Sequence, residues 1–517
     1  MDIDRRRFLH TAAAGAAAAA FGTGTRAATL PLPEYEKLDA TALAAQIRAG
    51  QITPLEALDA AIARAEARSA LNAIALRHFD AAREAAKRLS ALGRAEREQR
   101  AQSAPLLGVP FALKDLGLDL EGTVTTNGCA FFKDAVAKRN STLVERYLAA
   151  GLNIFAKTTT PEFGQTPTTE SRLFGLTQNP WNTAYSSGGS SGGAAVVVAG
   201  GIIPLAHASD GGGSIRIPAS ACGVFGLKPS RGRVPAGPAQ LEGWMGLSIN
   251  HAISRSVRDS ALLLQLTQGP EPGSRSVPPP PAAGEMTGAL TRPPGRLRVA
   301  LLEENPFNVP VHPDCLEAAR RAAKLCESLG HQVIPAPRPL LPPDLLAGMF
   351  GGMGIATGTG LLMSVKAREK ALGRAAREDE FEPIDWRTLQ QARSYTGEQV
   401  MAARLAFDQA ARRFDLLFAD FDILLSPVTA EPAPKLGVLS LDQPYESYVK
   451  GAMAASAFTS MLNISGNPAM SVPLHWNAAG MPVGVQFVAG YGAEARLLAL
   501  AAQLEQAAPW ADRRPAL

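Results

Sequence analysis

The sequence predicts an α/β fold built around one large sheet, and three observations carry the prediction. From about residue 107 onward, short apolar runs of strand length alternate with segments of helical periodicity. Runs of the same kind stand on both sides of the Pro- and Gly-rich stretch 269–296, so a single sheet can draw on both halves of the chain. A chain of 517 residues, 46% of them hydrophobic, is also long and apolar enough to bury a large core.

The N-terminus is read separately. "DRRRFLH", Asp4 to His10, is followed by the Ala/Gly run "TAAAGAAAAAFGTG" and by small residues at Thr25 and Ala27. A basic segment, a short weakly apolar segment and a small-residue site together read as a cleaved export signal over residues 1–28. Arg5 to Leu9 resembles the twin-arginine signal of bacteria, used by proteins that fold before export. The expectation is a soluble periplasmic protein without membrane attachment after cleavage, since no other stretch reads as the 18 or more continuous apolar residues of a membrane span.

Residues 29–517 are expected to form one domain. "DATALAAQIRAG" and "TPLEALDAAIARAEAR" read as amphipathic helices; the second opens with Thr53 as cap, Pro54 at the first helical position and Glu56 closing a capping box. "GVPFALKD" and "NIFAKT" read as buried strands with the helix "STLVERYLAA" between them, and "IIPLAHASD" as the strand after the helix that begins in the first glycine loop. "RLRVALLE", "FDILLSPVT", "PAMSVPLHW" and "PVGVQFVA" add strands, interleaved with helices over 313–329 and 493–506. The stretch 269–296 shows no periodicity and reads as a surface connection.

Composition excludes several classes. The formal charge is +4 from 51 basic and 47 acidic residues, and no dense Lys/Arg block occurs, so nucleic acid is not implied as a partner. Cys129, Cys222, Cys315 and Cys326 form neither a CxxC pair nor a Cys/His cluster with metal spacing. Cys315 and Cys326 fall in one helical pattern, about 16 Å apart at 1.5 Å per residue, too far to bridge. Scattered free thiols are expected, with one disulfide left open, and no metal and no organic cofactor.

The chemistry is concentrated in two loops, "SSGGSSGG" at 186–193 and "SDGGGSIRIPAS" at 209–220. A hydrolase needs a nucleophile, a group to take its proton and donors for a developing oxyanion. Gly211, Gly212 and Gly213 directly precede Ser214, and glycine N–H groups can converge on a substrate oxygen without a Cβ in the way. His207 lies among apolar neighbours and reads as a core histidine, and no GxSxG elbow surrounds Ser214, which weakens a Ser-His-Asp reading. A buried lysine can replace histidine because desolvation favours its neutral form. Lys114 ends an apolar strand where such a base is wanted, although a strand-end lysine reaching solvent fits the same position.

This constellation resembles the amidase-signature hydrolases. The likeness spans most of the chain after residue 28: "ALKD" at 112–115, "AKTTTPEFG" at 156–164, "NPWN" at 179–182, the two glycine loops through "GLKPSRGR", and the closing "NISGNPAMSVPLHWNAAGMPVGVQFVAGYG". It implies an α/β/α fold, one large mixed sheet covered by helices on both faces. It further implies that Ser214 is the acyl-accepting nucleophile, Ser190 the bridging serine after a cis Gly189–Ser190 peptide, and Lys114 the base. The N–H groups of Gly211, Gly212 and Gly213 are the implied oxyanion hole. A bulkier residue is usual at position 211, and only its backbone N–H is needed.

Asp210 and Arg216 flank the nucleophile and read as an orienting pair, and Ser191 as either a member of the hydrogen-bond network or a helix cap. The closing segment looks most like the amidases of 6-aminohexanoate-cyclic-dimer hydrolase type. The partner expected is a small-molecule amide, with aryl acylamide, carbamate, peptide amide and cyclic amide all open, and a homodimer is left open too. Pocket segments are expected over 235–250, with Trp244 and Met245, and over 345–365, with Met349, Phe350, Met353 and Met363; their apolar side chains point to an uncharged substrate. Two other readings stand beside this one: an exported binding protein on the same fold, and an esterase with a histidine base.

Overall fold

The computed structural model describes residues 32–517, so the export signal expected over 1–28 lies outside the described residues. Helices α1 (Ala40–Ala49) and α2 (Pro54–Ala67) form as their caps dictate. Thr53 Oγ1 accepts from the Glu56 N–H at 3.1 Å while Glu56 Oε2 accepts from the Thr53 N–H at 2.8 Å, the reciprocal capping box.

Eight strands make the large sheet. In chain order they are β1 (Leu205–Asp210), β2 (Phe225–Lys228), β3 (Ile249–Ser254), β4 (Arg298–Leu301), β5 (Gln332–Pro335), β6 (Ile423–Pro427), β7 (Ala469–Trp476) and β8 (Pro482–Ala489). Their spatial order is β5-β4-β6-β8-β7-β2-β3-β1. β4 pairs in parallel with β5 and β6 and the other ladders are antiparallel, so the sheet is mixed. Alternation along the strands separates two apolar layers. Val299, Ile423, Leu425, Val485 and Phe487 join a core with helices Pro313–Ser328 and Glu494–Ala507. Their neighbours Ala300, Leu424 and Val488 face a second core with Phe407, Phe414, Met461 and Leu462. Helices therefore cover both faces.

Two expected members of the sheet stand apart. "GVPFALKD" and "NIFAKT" form the strands Pro110–Lys114 and Asn153–Thr158 of a smaller three-stranded sheet with Ile74–Arg77. Pro110–Lys114 lies beside β1, but the Lys114 N–H donates to the His207 ring at Nδ1, 3.1 Å away, so a side chain takes the donor that a backbone ladder would use.

Two further differences follow from packing. Within 269–296, Glu285–Gly288 is helical and Ala289–Thr291 turns as a 3₁₀ segment, because Met286 and Ala289 bury against neighbouring helices. Residues 343–372 form one 30-residue helix, α3 (Pro343–Leu372), long and apolar enough to cross a membrane by length and composition. Its glycines interrupt the apolar run that the sequence reading sought, yet they let it pack closely: a Cβ at Gly352 would lie 2.9 Å from Phe407 Cε1 of the helix Gly397–Leu417.

Behind the site, Glu162, Glu382 and Asp385 are buried together. Burial raises all three carboxyl pKa values, Glu382 from 4.5 to about 7, and the charge of Glu382 adds to the shifts of Glu162 and Asp385. A raised acid stabilises the fold fully below its unfolded pKa and loses that contribution as pH rises through its folded pKa, a window that for Glu382 runs from 4.5 to about 7. Asp385→Asn removes one of the three ionisations. Its thermal midpoint is expected to fall less than that of wild type between pH 5 and pH 8, read by calorimetry at both pH values.

Candidate active site

The end of the strand Pro110–Lys114 delivers the Lys114 side chain into the interior, where the residue is 0% exposed. Its Nζ lies 2.7 Å from Ser190 Oγ and 3.2 Å from Ser209 Oγ. Burial pushes its pKa down from 10.5 to about 7, although the Asp210 carboxylate pulls the other way. The solvent-reaching alternative is therefore excluded, and a large neutral fraction exists near pH 7.

Ser190 follows a cis Gly189–Ser190 peptide, as expected. A Cβ on Gly189 would overlap the Thr168 carbonyl, which explains the glycine. Ser191 stands at the N-cap of the helix Gly192–Ala199 but makes no capping bond. Its Oγ donates instead to the Ser209 carbonyl at 3.1 Å, tying the serine loop to β1.

Ser214 sits between β1 and the helix Arg216–Cys222, half-buried, and with Gly212 lines a cavity of about 260 Å³. No hydrogen bond joins Ser190 Oγ to Ser214 Oγ, so only the lysine link of the expected relay is closed. Gly213 departs from its expected role. Its N–H donates to Asp210 Oδ1 at 2.7 Å, and the same carboxylate accepts from Ile215 N–H at 3.1 Å, because Asp210 stands only three residues upstream and caps the turn. Among the described residues the N–H groups of Gly211, Gly212 and Ser214 have no acceptor, so they are free to donate to a substrate oxygen.

Asp210 and Arg216 form the expected pair, both 0% exposed. Nη2 and Nε of Arg216 reach the two carboxylate oxygens at 2.8 and 2.9 Å. Burial alone would raise the Asp210 pKa, but the guanidinium outweighs it and holds the carboxyl below its usual range. Arg216 also donates to Gln486 Oε1, Asn463 Oδ1 and the Thr459 carbonyl at 2.7, 2.7 and 3.0 Å, while Thr459 Oγ1 donates to the Gly212 carbonyl at 2.6 Å. Sequence reasoning missed these three and Ser209. Asn463 and Gln486 fall within the closing segment of the resemblance, but nothing local marks their side chains.

His207 is confirmed as a core residue. It is 0% exposed, accepts from Lys114 N–H, lies 3.3 Å from Asn250 Oδ1 through Nε2, and burial pushes its pKa down to about 3. Among the described residues no group of three or more His, Cys, Asp or Glu side chains could hold a metal ion, and the four cysteines are free and buried.

Of the expected pocket residues, Trp244, Phe350 and Met353 line the cavity. Met349 is buried in the second core, Met245 packs against that core, and Met363 is 58% exposed. No Asp, Glu, Lys, Arg or His lines the cavity.

Comparison with known proteins gives a consistent result. The 6-aminohexanoate-cyclic-dimer hydrolase of Paenarthrobacter ureafaciens is 36% identical over 493 residues, 93% of this chain and 96% of that protein. The solved structure of a 6-aminohexanoate cyclic dimer hydrolase complexed with substrate superposes with a TM-score of 0.84 at 34% identity, covering 93% of this chain and 99% of that one. A bacterial aryl acylamidase of the amidase-signature family superposes with a TM-score of 0.81 at 26% identity, covering 93% and 99%. The match to the Amidase family runs over residues 56–498, from α2 into the last helix, and by that extent the chain belongs to the amidase family, whose members hydrolyse carbon–nitrogen bonds of amides other than peptide bonds.

Proposed function

We propose that the protein is an exported amidase that cleaves an uncharged carboxylic amide through an acyl-enzyme on Ser214, with Ser190 and Lys114 relaying the proton. The observation that carries this reading is the 2.7 Å contact between Ser190 Oγ and a fully buried Lys114 Nζ whose pKa is pushed down to about 7. Neutral Lys114 takes the Ser190 proton as Ser190 takes that of Ser214, and Ser214 Oγ attacks the carbonyl carbon. The N–H groups of Gly211, Gly212 and Ser214 hold the oxyanion, and the relay returns the proton to the departing amine nitrogen as the C–N bond breaks. Water, deprotonated along the same relay, then attacks the ester carbonyl and releases the acid and Ser214. No step needs a metal or an organic cofactor.

The uncharged cavity supports a neutral substrate, and the relatives named for a cyclic amide and for aryl acylamides set the classes to try first. Export rests on the residue 1–28 pattern, which supports a periplasmic enzyme. The test uses purified protein from residue 29 with an aryl acylamide, a cyclic amide, a carbamate, a dipeptide amide and a p-nitrophenyl ester. Turnover of at least one amide, abolished by Ser214→Ala, is expected; ester turnover alone or silence across the panel would sink the amidase reading.

A further inference from the structure

The Trp244 side chain sits in a slot that two glycines on separate elements leave open. Gly211 opens the nucleophile loop, and a Cβ there would lie 2.5 Å from Trp244 Cζ3. Gly360 faces the ring from α3, and a Cβ there would lie 2.5 Å from Cδ1 and 3.0 Å from Nε1. Real Cβ contacts do not come so close, so a side chain at either position would push the ring away.

The turn beneath the ring is held in place at a cost. Trp244 and Met245 adopt φ of +51° and +56°, left-handed values that non-glycine residues rarely take. Arg231 fixes the turn, its Nε donating to the Gly246 carbonyl at 2.8 Å and its Nη2 to the Asn463 and Ile464 carbonyls at 2.8 and 2.6 Å. The half-buried ring lines the same cavity as Ser214, beside Phe350 and Met353, and its Nε1–H has no acceptor among the described residues. The oxyanion donors are backbone groups, so the chemistry at Ser214 has no use for an indole there.

We infer that Trp244 sets the specificity of the acyl-enzyme reaction proposed above, on which this inference rests. Its ring is the flat wall against which an aryl or similarly flat uncharged group lies beside Ser214, and Gly211 and Gly360 are glycines because they admit that ring. A compact branched group cannot use the wall.

The test compares kcat/KM for benzoyl and pivaloyl 4-nitroanilides. Trp244→Ala is expected to lower the benzoyl-to-pivaloyl ratio at least tenfold, with Trp244→Phe recovering most of it. Gly360→Ala, which displaces the ring, should lower the ratio in the wild-type background and leave it unchanged in the Trp244→Ala background. The thermal midpoint gives a second reading: alanine is the better helix former, so Gly360→Ala should raise the midpoint when Trp244 is absent and lower it when the ring is present. A ratio unmoved by Trp244→Ala, or a Gly360→Ala effect that persists without the indole, overturns the inference. If wild type turns over neither anilide, the amidase reading is what has failed on these substrates. Trp244 is then read by calorimetric binding of benzoyl 4-nitroanilide to Ser214→Ala protein: at least tenfold weaker binding on adding Trp244→Ala supports the wall, and equal affinity overturns it.

Discussion

Lys114→Ala is expected to lower kcat/KM for amide hydrolysis by about 10²–10⁴-fold, the range that a positioned acid–base group contributes. The wild-type profile supplies the signature that goes with that loss. In the proposed relay the neutral amine is the active form, so kcat/KM should rise with pH through about 7 and level off above it. Lys114→Arg separates a proton-transfer role from a packing role. It keeps a long cationic side chain that can donate to Ser190, but a guanidinium stays protonated at every accessible pH. A base is not rescued by arginine, whereas a structural cation would be rescued in part. His207 offers no competing source for the limb, since burial pushes its pKa down to about 3 and its Nδ1 already accepts from the Lys114 N–H. Activity in Lys114→Ala within a factor of three of wild type would remove the lysine from the mechanism.

The parts of this site legible in the sequence are those fixed over short distances. Thr53, Pro54 and Glu56 declare a helix start within four residues, and the structure builds the capping box they specify. Lys114 was visible because an apolar strand stops at it, and Asp210 and Arg216 because both charges bracket one loop. Gly213 shows the limit of that method even locally: composition counts its N–H as free, but the geometry of the turn hands it to Asp210.

What stayed hidden is set by chain-distant approach. Thr459, Asn463 and Gln486 reach Arg216 from 243, 247 and 270 residues away, and each is an ordinary polar residue in its own segment. Ser209 meets Lys114 across 95 residues. Helix α3 is hard to read locally because its many glycines dilute the apolar run, although those glycines are what let Phe407 and Trp244 come close. The strand Pro110–Lys114 fails to extend the large sheet because of the His207 ring, a contact that no periodicity encodes.

The buried Asp210–Arg216 pair is expected to give the largest stability effect in the molecule, and its two halves should behave differently. Arg216→Met removes the cation and strands an ionised carboxylate at 0% exposure, a change expected to cost about 3–5 kcal/mol by urea unfolding. The same change releases the hydrogen bonds to Gln486, Asn463 and the Thr459 carbonyl, so the loop bearing Ser214 loses its tie to the β7 and β8 side of the sheet. Asp210→Asn is milder, because Arg216 keeps those three acceptors and an asparagine oxygen can still cap the Gly213 N–H. Its effect appears instead in the pH profile. The Asp210 charge raises the Lys114 pKa against the pull of burial, so removing it should move the acidic limb of kcat/KM below the wild-type value near 7. Asp210→Asn combined with Arg216→Met removes both charges together and should be more stable than Arg216→Met alone, the non-additivity expected of two groups that neutralise each other. An acidic limb that stays in place in Asp210→Asn would show that the charge beside the nucleophile orients the loop without tuning the base.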